Sequence, residues 1–304
     1  MTCATVGCTE RPKIGPAPVK ATSAPAPTPP SSQSDAFPLE VRDDAGRRVR
    51  FAAPPRRVLS LAPSNTELLF ALGAGDRLVG RTTQCDYPPA ATKTPAIGSL
   101  FPPDYERITA TRPDMVLMAS GNDDVRQRLE ARGMVVLVIQ PKRVPQVADA
   151  LRLLGRALGR SAAARPVIER FERDLAAAKR LGTVGPVRVY YEVWPSPLTA
   201  AGPTSFVGDL VVLAGGTNVV DSTDAWPRLS AERVIVADPE VIVVAREQDR
   251  VALLAGERSG WSGITAVERG HVFVPPDPNL LVRPGPRLAE GVRWLRARFA
   301  EAQN

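Results

Sequence analysis

The residues able to do acid–base or nucleophilic chemistry are few and lie apart in the chain. His271, the sole histidine, sits in GHVFVPP, where the alternation makes it a strand residue at a sheet end rather than a base. Cys85, in QCDYPP, has no base near it in sequence and reads as a small, semi-buried apolar side chain. There is no Gly-x-Ser-x-Gly elbow, no HExxH and no phosphate-binding loop. GAGDRL, Gly73 to Leu78, starts like a dinucleotide fingerprint, but Leu78 takes the place of the third glycine and the segment follows a helix, not a strand. Catalysis is therefore not expected; an enzyme would have to use Cys85, Glu192 or His271.

One pattern repeats. ERITATRPDMVLMA, from Glu106, returns as ERVIVADPEVIVVA, from Glu232, at a constant offset of 126 residues and without a gap. A glutamate in the first turn of a helix opposes the macrodipole, and duplicated lobes would repeat such structural glutamates too. Spacing alone leaves both a structural role and a docking role open. In each copy a short helix ends before a proline, which pushes its predecessor out of the helical region, and an apolar strand follows.

The elements around these residues alternate. FPLEVRDDAGRRVRF predicts a hairpin turning at Asp44-Ala45-Gly46. Val58 to Leu61 predicts a buried strand, followed by a helix in which Ser64 and Glu67 form a capping box. Further strands are predicted at Asp114–Ala119, Val135–Ile139, Val187–Val193, Val241–Ala245 and His271–Val274, with helices between, the alternation that builds mostly parallel sheets. SAAARPVIERFERDLAAAKRL carries Val167, Phe171, Leu175 and Ala178 on one face and predicts a single long helix. The expected organisation is an N-terminal α/β lobe (37–160), a connecting helix (161–183) and a C-terminal α/β lobe (184–304), with a ligand cleft between the lobes.

Residues 1–36 are rich in Pro, Ala and Ser, lack apolar periodicity, and are expected to form a disordered tail or linker. Cys3 and Cys8 lie in that tail, so the three cysteines imply neither a disulfide framework nor a thiolate metal site. A net charge of +7 raises nucleic-acid binding, but the arginines are interleaved with Asp and Glu on helix faces instead of clustering. No apolar stretch reaches the ~18–20 residues that span a bilayer. TVGC, ending at Cys8, partly matches a lipoprotein cleavage box, so membrane contact is expected only through a lipid anchor on Cys8.

The ordered set RRVLSLAPSNTELLFALGAGDRLVG, CDYPP, YERITATRPDMVLMA, YYEVWPSPLTAAGPTSF, LAGGTNVV, WPRLSAERVIVADPEVIVV and RPGPRLAEGV resembles the substrate-binding proteins of ABC importers for metal chelates, most closely the vitamin B12-binding branch. The resemblance implies two α/β lobes joined by a rigid helix, and a periplasmic or cell-surface, monomeric receptor that hands cobalamin or a related corrinoid to a permease dimer. A ferric siderophore or haem is the alternative ligand. By the same resemblance, Glu106 and Glu232 would dock on the permease, and Trp226 and Trp194 would wall the cleft. Gln84 and Leu100 stand where the B12 binders have cleft aromatics, as do Ala119 and Leu198, a departure that weakens cobalamin itself. Arg283 is a further cleft candidate, either meeting an anionic group of the ligand or capping a strand end. No cofactor and no metal bound directly by the protein are expected; the metal would arrive inside its chelate.

Overall fold

In a computed structural model, which describes residues 1–2, 35–180 and 185–303, two four-stranded parallel sheets carry the architecture. Residues 35–304 form one compact unit. The tail from Cys3 to Ser34, with Cys8, lies outside the described residues.

The chain enters through the antiparallel hairpin β1 (Leu39–Arg42) and β2 (Arg48–Phe51), turning at Gly46 with φ 77°. The first lobe then runs β3 (Val58–Ser60), α1 (Pro63–Ala71), β4 (Leu78–Arg81), α2 (Tyr105–Ala110), β5 (Met115–Met118), α3 (Asp123–Glu130), β6 (Val136–Val138) and α4 (Gln146–Ala157). Its strand order is β4-β3-β5-β6.

Helix α5 (Ser161–Lys179) leads to the second lobe. The expected C-terminal end of this helix, at residue 183, falls among residues 181–184, which are not described. There follow β7 (Val187–Pro195), β8 (Leu198–Ala200), α6 (Phe206–Leu213), β9 (Gly216–Asn218), α7 (Ala231–Ala237), β10 (Val241–Val243), α8 (Glu247–Leu254), α9 (Thr265–Glu268), β11 (Val272–Phe273), α10 (Asn279–Val282) and α11 (Leu288–Glu301). The parallel order here is β9-β7-β10-β11, the same arrangement as in the first lobe, with β8 added antiparallel along the end of β7.

Period-2 side-chain alternation divides each sheet between two cores. Met115, Leu117, Val187, Val189, Tyr191, Val241 and Val243 point to one continuous core that also takes in α4, α5 and α11 and so belongs to both lobes. Val116 and Met118 face an outer core of the first lobe, and Tyr190, Ile242 and Val244 an outer core of the second around Trp261. Covering on both faces explains why these strands read as unbroken apolar runs.

Two local expectations are corrected. Ser64 and Glu67 form no capping box: α1 starts two residues earlier than that cap implies, at Pro63, its N-cap is Ala62, and Glu67 turns toward the second lobe. The residues before Pro113 and Pro239 do leave the helix, but into the left-handed region rather than the extended one.

Candidate functional site

Loops at the carboxyl ends of the parallel strands are where open α/β sheets bind ligands. Here those loops meet across the lobes. Glu67, in the helix α1 that follows β3, and Gln84 and Asp86, beyond β4, contact Arg283 and Arg287, which follow β11. Arg143, beyond β6, makes a forked ion pair with Asp209 of α6, with Nε to Oδ2 at 2.8 Å, and the Val144 amide donates to the same carboxylate at 3.0 Å. The carboxyl-end regions of both sheets are therefore tied across the lobes by two separate sets of ion pairs.

Four of the exposed large apolar side chains lie in these loops or beside them: Tyr87 and Phe101 from the first lobe, Trp194 and Trp226 from the second. Trp194 is 53% exposed, one residue before the end of β7, and the Arg246 guanidinium lies 5.3 Å from its ring centroid. Arg246 is itself clamped by Asp249 at 2.7 and 2.8 Å, which fixes that shelf. Trp226 is 43% exposed on the loop between β9 and α7 and meets Phe206 edge-on at 5.7 Å. Such walls suit a broad, partly apolar ligand face.

The remaining expected residues fall into place unequally. The Gln84 side chain is exposed on the loop after β4, and its carbonyl accepts from Arg283 at 3.0 Å. Leu100 is half-buried and packs against the outer core of the first lobe. Arg283 is nearly buried, and its charge is met by Asp86 at 2.7 Å and Glu67 at 3.5 Å. Arg287, which sequence reading passed over, pairs with Glu67 at 2.9 Å and Asp277 at 2.7 Å. Burial works against the Arg287 charge, but those two carboxylates outweigh it and hold the guanidinium protonated. The partners of both arginines lie mostly about 200 residues away, so no local pattern could reveal them.

Glu106 and Glu232 occupy the first turns of α2 and α7, both exposed. The backbone amide of Glu232 and the Ser230 hydroxyl hold its carboxyl below the usual 4.5. Beside α7 opens a cavity of about 320 Å³, lined by Tyr190, Val219, Leu229, Glu232 and Val236.

The three candidates for chemistry sit in separate settings. Cys85 is buried against Thr82 Oγ1 at 3.1 Å. Glu192 is 1% exposed and gripped by Arg258 at 2.5 and 3.1 Å. His271 stacks on Phe273 where β11 begins, the end of the sheet away from the cleft loops. Among the described residues no group of three or more His, Cys, Asp or Glu side chains could hold a metal ion, and no helix is long and apolar enough to cross a membrane.

A family model described as periplasmic binding protein matches residues 58–278. The chain is 30% identical over 274 residues to an uncharacterised ABC transporter substrate-binding lipoprotein, YvrC, of Bacillus subtilis, covering 86% of each chain. It is 33% identical over 204 residues to a vitamin B12-binding protein of Yersinia pseudotuberculosis, covering 66% of this chain and 73% of that one. Among solved structures, the periplasmic haem-binding protein BhuT with two haems superposes with a TM-score of 0.74 at 26% identity, over 83% of this chain and all of that one. The chain thus belongs to the periplasmic binding protein family, as a two-lobed substrate-binding protein of the ABC-transporter type.

Proposed function

We propose that this protein captures cobalamin or a related corrinoid in the cleft between its lobes and delivers it to an ABC permease, doing no chemistry itself. The observation that carries the reading is the set of four exposed aromatic rings, Tyr87, Phe101, Trp194 and Trp226, drawn from both lobes around the strand ends. A corrinoid presents a wide ring face and amide-bearing edges, and it brings its metal already chelated. Haem iron instead commonly takes an axial donor from the protein, an imidazole, phenolate, thiolate or thioether. His271 lies at the far end of its sheet, and Tyr190 and Tyr191 are buried, which leaves Tyr87 as the one exposed phenol among the cleft loops described. The lack of an imidazole there favours a ligand that brings its metal fully chelated. Relatives named for vitamin B12 and for haem leave a ferric siderophore or haem as the second reading.

Docking would use Glu106 and Glu232, one exposed carboxylate on each lobe, as a matched pair for a two-fold permease. The relative named as a lipoprotein supports a cell-surface or periplasmic receptor, lipid-anchored through Cys8. The test is a calorimetric titration with cyanocobalamin, haemin and a ferric hydroxamate. Tight one-to-one binding of cyanocobalamin alone is expected; binding of haemin or the hydroxamate alone would replace the ligand and leave the receptor role.

A further inference from the structure

We infer that Arg283 and Arg287 are positioning residues of the cleft: from the second lobe they hold the Gln84–Tyr87 segment of the first, so one wall is set before any ligand arrives. The inference rests on the reading of these loops as cleft walls. Within the segment Cys85 is buried and anchored to its own lobe through Thr82, while Gln84, Asp86 and Tyr87 are exposed, Tyr87 by 37%. Side chains of the second lobe reach all three. Arg283 donates to Asp86 Oδ1 at 2.7 Å and to the Gln84 carbonyl at 3.0 Å, and Arg287 covers the Tyr87 ring.

Both arginines are fixed in turn. Glu67, 3% exposed in its side chain, receives Arg287 Nε and Nη2 at 3.0 and 2.9 Å and Arg283 Nη1 at 3.5 Å. Asp277 takes the remaining Arg287 nitrogen at 2.7 Å. Gly285 lets this turn approach, because a Cβ there would stand 3.3 Å from Glu67 Oε2. The guanidinium fork is what allows one side chain to meet a carboxylate and a carbonyl at once; an ammonium has no such fixed geometry. With both charges already compensated, Arg283 is better placed to hold a wall than to meet an anionic ligand. A wall ordered in advance spares the ligand the cost of ordering it.

Amide hydrogen exchange on the full chain tests this without a ligand. Asp86→Asn, Arg283→Met and Arg287→Met are expected to speed exchange at residues 83–87 by about tenfold while α4 and α5 keep their protection. Arg283→Lys is expected to retain the thermal midpoint but not the protection, which separates positioning from simple charge balance. Should Arg283→Met or Arg287→Met loosen the whole molecule, Asp86→Asn decides, since its site is exposed. Native exchange at 83–87 in the folded Asp86→Asn and Arg283→Met proteins would overturn the inference. A parallel titration with cyanocobalamin is expected to show affinity lowered about five- to tenfold in the same variants. Unchanged affinity with the segment freed would also overturn it. If the native chain binds no cyanocobalamin, the ligand reading fails, while the exchange result still decides the positioning role.

Discussion

Arg112 and Asp238, 126 residues apart, both hold the left-handed backbone region, at φ 44° and 41°, each immediately before the proline that closes its helix. Each is tied by an arginine at the start of the first strand of its own sheet, Arg57 just before β3 and Arg188 within β7. Arg57 Nε donates to the Arg112 carbonyl at 2.9 Å, and Arg188 Nε to the Asp238 carbonyl at 2.9 Å. The acid two residues on completes the joint: Asp114 accepts from the Arg57 amide at 2.9 Å, and Glu240 from the Arg188 amide at 2.9 Å. The repeated stretch is therefore a helix-to-strand joint pinned to its sheet, and it places Glu106 and Glu232 at corresponding points of the two lobes.

The joints differ in side chain, which yields a prediction of opposite signs. Asp238 accepts from the Thr265 amide at 2.8 Å and its hydroxyl at 2.9 Å, and the amide bond foremost holds its carboxyl below the usual 3.8; Arg112 is simply exposed. Arg112→Gly is expected to stabilise by up to about 1 kcal/mol by relieving the left-handed conformation. Asp238→Gly should instead destabilise by about 1 kcal/mol through its lost hydrogen bonds. Denaturant midpoints of the two variants check this, and shifts of the same sign would refute it.

Sequence reading recovered what depends on near neighbours. The hairpin at Gly46, the apolar strand runs, the long helix α5 and the short helix ending before Pro239 follow from period and punctuation, and the structure bears them out. It missed β4, β8 and β9, where LVGR, LTA and GTN are too short or too polar to show a period. Glu67 shows the deeper limit. Its spacing from Ser64 satisfies a local rule, yet Pro63 takes the first helical position and the carboxylate is claimed by arginines 216 and 220 residues on. Trp194 and Trp226 are legible in the sequence through the family resemblance, whereas Arg287 and the Arg246 shelf emerge only from tertiary contact.

Trp194→Ala and Trp226→Ala remove walls that are half in solvent, so folding should lose little while the cleft loses stacking area. Each is expected to weaken cyanocobalamin binding by about 10- to 100-fold and to move the thermal midpoint by no more than a degree or two. Calorimetry beside a thermal melt measures both. Native affinity in the double variant would remove the aromatic-wall account.

Glu192 separates a catalytic from a structural reading. Its carboxylate is nearly inaccessible and carries the half-buried Arg258, whose guanidinium also lies 4.3 Å from the Trp261 ring centroid. Glu192→Gln leaves that cation without a counter-charge, and a loss of about 3 kcal/mol is expected. For a unit of this size the melting midpoint should fall by roughly 6–12 °C. A midpoint within a degree of native would show that the pair is not what holds this corner of the second core.

Permease docking through Glu106 and Glu232 predicts a kinetic effect and little else. Both carboxylates are exposed, so Glu106→Gln and Glu232→Gln should each leave stability within ~0.5 kcal/mol and leave the cleft untouched. Long-range charge acts chiefly on encounter, so each substitution is expected to slow association with the solubilised permease about tenfold, and added salt should slow the native protein likewise. The pH dependence has a definite sign. Because the Glu232 amide and Ser230 hold the Glu232 carboxyl below 4.5, its charge persists as pH falls from 7 to 5 and is lost only below the ordinary glutamate range. The Glu232 contribution to the association rate should therefore be flat across that interval and collapse beneath it. Surface-immobilised binding kinetics of the single and double variants provide the measurement, and a double variant that associates at the native rate would assign both glutamates to the helix dipole alone.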